Sequence, residues 1–162
     1  MVKNCSIIRL VHYTTQEYLE RVRLEWNPEA QEEVAVACLT YLSFDTFRNG
    51  SCSSDKAFEQ RLAENPFFDY SAHFWSEYVR PVESSTSGLA LAFLYNEALV
   101  NCIVQGALTP DYKYPGYNGR FPHRTSGLHF TARYGLVYLL EKLLVGKDGD
   151  KNTVADSKDG YS

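Results

Sequence analysis

The pattern of apolar and polar positions changes period several times along the chain, and each change marks an element. Ile7 to Tyr13 is a short β-prone run with no room for a helical repeat, which predicts a strand. Thr14 or Thr15 then caps a helix through about Trp26. Either hydroxyl can accept a bond from an unpaired first-turn amide, and Glu17 follows Thr14 as in a capping box. Asn27-Pro28-Glu29 opens a second helix with an Asn cap, Pro at the first helical position and an acidic first turn. Val34, Cys38, Tyr41 and Leu42 recur on one face, widened by Ala35 and Leu39, and the helix should end near Phe44.

Asn49 to Ser54 is a loop by composition. Asp55 caps a helix to about Glu64, with Phe58 and Leu62 on one side. Asn65-Pro66 repeats the cap-then-Pro signal and opens a helix from Phe67 to Arg80. Phe67, Tyr70, Phe74 and Tyr78 form one stripe on it, and Phe68, Ala72, Trp75 and Val79 form its neighbour. So broad an aromatic surface needs cover on two sides, which predicts a multi-helix packing. Pro81 stops that helix, and Ser84 to Gly88 reads as a second loop. Leu89 to Gln105 is apolar almost all round and predicts one central helix. Thr109 to Arg124, rich in Pro, Gly and Tyr, is a connector without regular structure.

Composition supports a packed chain: 44% of the 162 residues are hydrophobic, with 12 Tyr, 9 Phe and 2 Trp, too many for global disorder. The formal charge of −4, with both signs interspersed, argues against a nucleic-acid platform. Arg9 interrupts the first apolar run before a secretion signal could form, and Asn96, Glu97 and Asn101 break the most apolar stretch, so no membrane span is expected. Cys5, Cys38, Cys52 and Cys102 form no close-spaced pair. Free thiols in a reducing, cytoplasmic setting are the expectation, with Cys38 and Cys102 as buried apolar residues.

Candidate chemistry is sparse. Asp69, His73 and Glu77 fall at i, i+4 and i+8 and could form a carboxylate-oriented base or a metal site. The helix lacks the further His or Cys that a catalytic zinc needs, so a solvated face with weak i,i+4 pairs is the favoured reading. His12 has no nucleophile to match it. Tyr112, Tyr114, Tyr117 and Phe121, beside Lys113, Arg120 and Arg124, could stack on bases; packing across neighbouring helices suits the acidic total charge better. No catalytic residue, metal ligand or cofactor site is assigned.

The most specific pattern comes last. Ser126-Gly127-Leu128-His129-Phe130-Thr131-Ala132-Arg133-Tyr134-Gly135-Leu136, followed by Leu139-Leu140-Glu141-Lys142-Leu143-Leu144, resembles the ankyrin repeat. Ser126 stands at the family's Thr and Gly127 at its Pro. Leu128-His129 match directly, and Ala132 and Gly135 fall in register. Asp156 to Ser162 resembles the hairpin leading into a next repeat, whereas the polar run from Gly146 to Asn152 departs from the family's ending. Upstream, Val11-His12-Tyr13-Thr14-Thr15-Gln16-Glu17-Tyr18-Leu19 is similar to the motif closing the winged-helix part of NACHT-type NTPases. Cys38 to Phe44, Pro66 to Tyr70 and Pro115-Gly116-Tyr117 extend that likeness. In order, these segments resemble the stretch between NTPase and ankyrin array in fungal NACHT–ankyrin proteins of the NLR-like class.

The resemblance implies a mainly α chain in four parts: a winged-helix remnant with a short β element over 1–26, a helical linker bundle over 27–108, the connector over 109–124, and an ankyrin-type helix pair with the start of a second over 125–162. It implies a non-catalytic fragment, downstream of the NTPase, that couples domains and binds other proteins. Phe130, Arg133 and Tyr134 would lie at the partner-binding face, although inward packing suits Phe130 equally well. His129 would brace the turn with Ser126, since an unpaired buried imidazole costs about 1–3 kcal/mol. Leu143 and Leu144, with Leu139 and Leu140, would lean on the upstream bundle or stay partly exposed and drive self-association. The rival readings are a small metal- or His-dependent hydrolase and a nucleotide-dependent signalling switch that has lost its phosphate loop. Gly-x-x-x-x-Gly-Lys-Ser/Thr does not occur in the sequence. Calorimetric titration with ATP should therefore give no binding isotherm, and a micromolar dissociation constant would contradict the reading.

Overall fold

A computed structural model describes residues 12–109 and 114–155. The chain divides into two compact units, residues 1–30 and 31–162. The regular elements among the described residues are all helical. The strand expected over 7–13 lies, apart from its last two residues, outside the described residues, as do Cys5 and the repeat lead-in at 156–162.

In the first unit Tyr13 already belongs to helix α1, Tyr13–Trp26. The His12 carbonyl accepts from the amides of Thr15 (3.1 Å) and Gln16 (3.3 Å), so Thr14 and Thr15 sit inside the first turn and not at the position before it. Beyond it, Asn27 Oδ1 accepts from the Glu29 amide at 3.1 Å and the Asn27 carbonyl accepts from Ala30 at 3.3 Å. The Asn-Pro pair thus makes a turn, and helix α2, Ala30–Leu42, begins beyond the proline.

In the second unit α2 buries Ala35, Cys38, Leu39 and Leu42, and a short 3₁₀ turn at Asp45–Phe47 sends Phe47 into the core, stacked on Phe68 at 4.7 Å. Helix α3, Asp55–Glu64, is capped by Ser54, whose Oγ accepts from the Ala57 amide at 3.3 Å. The expected cap, Asp55, is one residue too late and faces the connector instead. Asn65 closes α3, its backbone and side-chain nitrogens both donating to the Arg61 carbonyl. Helix α4, Phe68–Val79, follows. One of its two aromatic stripes is covered: Phe68, Ala72, Trp75 and Val79 are fully buried. The other stays open, with Phe67, Tyr70 and Phe74 each about two-fifths exposed (37%, 40% and 41%).

Two further boundaries differ from expectation. Ser84 to Gly88 is not a loop: a 3₁₀ turn at Arg80–Val82 carries the chain past Pro81 into helix α5, Glu83–Leu94. The hydroxyls that suggested a loop fold back on the helix, Thr86 and Ser85 donating to the Val82 carbonyl (2.8 and 3.2 Å) and Ser87 to Ser84 (2.8 Å). Nor is Leu89 to Gln105 one helix. Asn96 caps helix α6, Glu97–Leu108, accepting from the Leu99 amide at 3.1 Å, and the segments Phe68–Leu94 and Glu97–Leu108 meet at 101°. Among the described residues no single helix is long and apolar enough to cross a membrane.

The core centres on Trp75. Its ring meets Phe93 of α5 edge-on at 4.9 Å and Phe130 of helix α7, Gly127–Tyr134, at 5.4 Å. Helix α8, Val137–Ala155, packs on both α5 and α7. Gly127 makes the closest approach to backbone among the glycines, because a Cβ there would stand 2.4 Å from the Leu94 carbonyl oxygen. Gly88, inside α5, has open space where a Cβ would go. Gly88→Ala should therefore raise unfolding stability by about 1 kcal/mol through helix propensity alone. Gly127→Ala should lower it by about 1–3 kcal/mol, since backbone must move. Urea denaturation of the two variants checks the pair, and equal effects would contradict it.

Candidate interaction surface

The α7–turn–α8 element is built from local signals that agree with one another. Ser126 caps α7: its Oγ accepts from the His129 amide at 3.4 Å, while His129 Nδ1 accepts from the Ser126 amide at 3.3 Å and lies 2.8 Å from the Ser126 hydroxyl. This is the capping box with His in place of the usual Glu. The chain then reverses at Gly135, in the left-handed region at φ 65°, and the Leu136 amide donates to the Thr131 carbonyl at 3.0 Å. No side chain precedes α8 to cap it. Glu83 of α5 supplies the carboxylate, accepting from the Leu139 amide at 3.0 Å at the positive end of the helix dipole.

Burial divides α8 lengthwise. Leu139 and Leu143 are buried, Leu140 is half-buried, and Leu144 stands 48% exposed beside Val137 and Val145 at 61% and 71%. Leu128 is half-buried, and Ala132, His129 and Arg133 are exposed. α8 continues as helix through the polar run from Gly146, which therefore makes no irregular ending.

Of the three residues expected at a partner face, Phe130 is not on the surface. The period of α7 turns Gly127, Phe130 and Thr131 inward, and Phe130 packs between Trp75 and Tyr134, the latter at 4.9 Å. Tyr134 is half-buried against Trp75, which pushes its phenol up in pKa, partly offset by Arg133, and its carbonyl accepts from Arg80 at 3.0 Å. Of the three, Arg133 alone is exposed. Beside α7, a shallow pocket of about 180 Å³ opens among Leu94, Tyr95, Glu97, Ser126, Leu128 and Leu143.

The connector is anchored by Gln105, to which no role was assigned from the sequence, and by Asp55, expected only as a helix cap. Gln105, fully buried, accepts from the Cys52 amide at 2.7 Å and donates to the carbonyls of Cys52 (3.0 Å) and Asn118 (2.9 Å). Asp55 accepts from the amides of Gly116 (2.6 Å) and Asn118 (3.0 Å). A lone Gln among buried Val100, Ile103 and Val104 was the available signal, since a polar group there must find partners. Tyr117 and Phe121 are buried, so neither ring is free to stack on bases; Tyr112 and Lys113 lie outside the described residues.

His73 Nδ1 donates to the Asp69 carbonyl at 2.8 Å and lies 3.6 Å from that residue's carboxylate, on an exposed face. Among the described residues no group of three or more His, Cys, Asp or Glu is placed to hold a metal. Cys38, Cys52 and Cys102 are free thiols, and Arg61 donates to Cys102 Sγ at 3.0 Å and to the Gly50 carbonyl at 2.8 Å. Neither a family model nor a curated protein nor a solved structure is similar enough to the chain to match it.

Burial pushes the Cys102 thiol from 9.0 up to about 12 against the opposing pull of Arg61. An unfolded thiol ionises near 9.0 while the folded one keeps its proton to about 12, so stability falls as pH rises through that window and is unaffected below it. Thermal unfolding should show a downward slope above pH 9.0 that is shallower in Cys102→Ala, and identical slopes would contradict the assignment.

Proposed function

We propose that the chain is a non-catalytic interaction and domain-coupling unit of ankyrin type, working in a reducing cytoplasm as part of an NLR-like protein. The observation that carries this reading is the lengthwise division of α8. Leu139 and Leu143 are buried, while Val137, Leu144 and Val145 on the same helix are left open. A helix with one apolar edge covered and the next uncovered is what a stacked repeat offers to its neighbour.

Three features support it. The Ser126–His129 box and the left-handed Gly135 suit the ankyrin helix pair that this stretch of sequence resembles. The pair rests on an earlier one, with α8 packed against α5 and α7 against α6. Finally, Glu83 ties α8 to α5, so that displacing one pair disturbs the cap of the other. Coupling through such a stack needs no chemistry, only complementary faces. Arg133, the rim of Tyr134 and the 180 Å³ pocket beside Leu128 would give a partner its polar and shape contacts.

Sedimentation of the purified full chain tests the reading. Concentration-dependent association is expected, abolished by Leu144→Lys with Val145→Lys at unchanged helix content. A clean monomer for the parent chain at all concentrations would overturn it.

A further inference from the structure

Two cysteines far apart in the sequence meet on one face of α6. Cys102 and Gln105 are three apart on that helix and share a face. The Gln105 side chain holds Cys52 by its backbone on both sides, accepting from the Cys52 amide at 2.7 Å and donating to the Cys52 carbonyl at 3.0 Å. Arg61 of α3 closes the group. Its Nη1 donates to the Cys102 sulfur at 3.0 Å and to the carbonyl of Gly50, two residues before Cys52, at 2.8 Å. Burial raises both thiols above the ordinary range; Arg61 pulls against that rise at each, and charge on Cys52 adds to it at Cys102. Cys38, fully buried on α2, is shifted by its burial and by Ser71, with neither of these thiols acting on it.

The pair is unequal in access. Cys102 is fully buried, whereas Cys52 is half-buried in the irregular stretch between the 3₁₀ turn at Asp45–Phe47 and α3. A disulfide needs its two Cα atoms within about 7 Å, and the stretch around Cys52 can turn to meet that need without moving a helix. Buried, protonated thiols are slow nucleophiles one at a time. Held beside each other, they need only one encounter with an oxidant, because the second attack is intramolecular.

We infer that Cys52 and Cys102 are a redox-sensitive dithiol, which a low-molecular-weight disulfide such as oxidised glutathione converts to an intrachain disulfide that locks the connector onto α6. Cys52 is reached first. It loses its proton and its sulfur attacks one sulfur of the small disulfide, whose S–S bond breaks to release one thiol carrying that proton. The Cys102 sulfur then attacks the Cys52 sulfur of the mixed disulfide. The protein S–S bond forms, and the second small thiol leaves with the Cys102 proton. The two protein thiols are oxidised by two electrons and the small disulfide is reduced to two thiols. In a reducing compartment such a bond forms transiently, as a signal. Its structural effect follows from the Cys52 carbonyl, which accepts from Gln105 and from Asn118 Nδ2 at 3.1 Å, so fixing Cys52 to α6 fixes the connector with it.

The test uses the full chain carrying Cys5→Ser, which removes the thiol outside the described residues. The folded protein is treated with oxidised glutathione, its remaining thiols are alkylated, and its tryptic peptides are weighed. One linked pair is expected, joining Cys52 to Cys102, lighter by two hydrogens than its parts and separated by dithiothreitol. The oxidised chain should melt at a higher temperature than the reduced one. Hydrogen exchange at the Asn118 amide should slow on oxidation. Cys52→Ser and Cys102→Ala should each abolish both shifts. Glutathione retained on Cys52 beside a free Cys102, or linkage to Cys38 as frequent as linkage to Cys102, would overturn the dithiol. Exchange at Asn118 as fast after oxidation as before would overturn the lock.

Discussion

Trp75 holds three helices in one place. Its ring touches Phe93 edge-on on one side and Phe130 on another, so α4, α5 and α7 share a single aromatic junction in the fully buried core. Aromatic pairs of this kind contribute about 0.5–1.5 kcal/mol each beyond the area they bury. Position matters as much as energy here. Because Phe130 is committed to Trp75, α7 has one rotation available, and that rotation sends Arg133 outward and leaves Tyr134 on the rim. The same contact aligns α8, whose inner edge then meets α5 while its outer edge stays open.

Polar groups finish what the rings begin. Gln105 and Asp55 together satisfy carbonyls and amides of Cys52, Gly116 and Asn118, stitching the loop before α3 and the connector to α3 and α6. Left unpaired, buried groups of this type each cost about 1–3 kcal/mol. Glu83 acts likewise at the start of α8. These are side chains whose partners lie far along the chain, and they turn a series of helices into one packed unit over 31–162. With the connector and the helix pair held, the α8 edge and the open aromatic stripe of α4 are both presented by one packed frame.

How much of this could be read from the residues depends on the range of each interaction. The α7–α8 turn was legible because its causes are local: Ser126 and His129 are three apart, and Gly135 supplies a left-handed φ that other residues resist. The buried stripe of α4 was legible from its period. The Ser84 to Gly88 stretch misled because hydroxyl-rich composition signals a loop only when the hydroxyls have no helix carbonyl to bond, and here they do. The break at Asn96 was hidden because apolar residues on both sides gave no change of period to betray it. Gly127, where the resembled family carries Pro, had no explanation until the Leu94 carbonyl was seen against it.

The sequence by itself determined that the chain is mainly helical, where α3, α4 and α7 begin, and which stripes of α2 and α4 are apolar. Propensity, capping and period all act within about a turn or two of helix. Only the tertiary structure decided which apolar stripes are covered. It buried Phe130 and left Phe74 open, although both sit in aromatic-rich helices, because cover requires a neighbour and neighbours are chosen by contacts such as Trp75 with Phe93. Burial is a property of pairs of elements, and no single segment carries it.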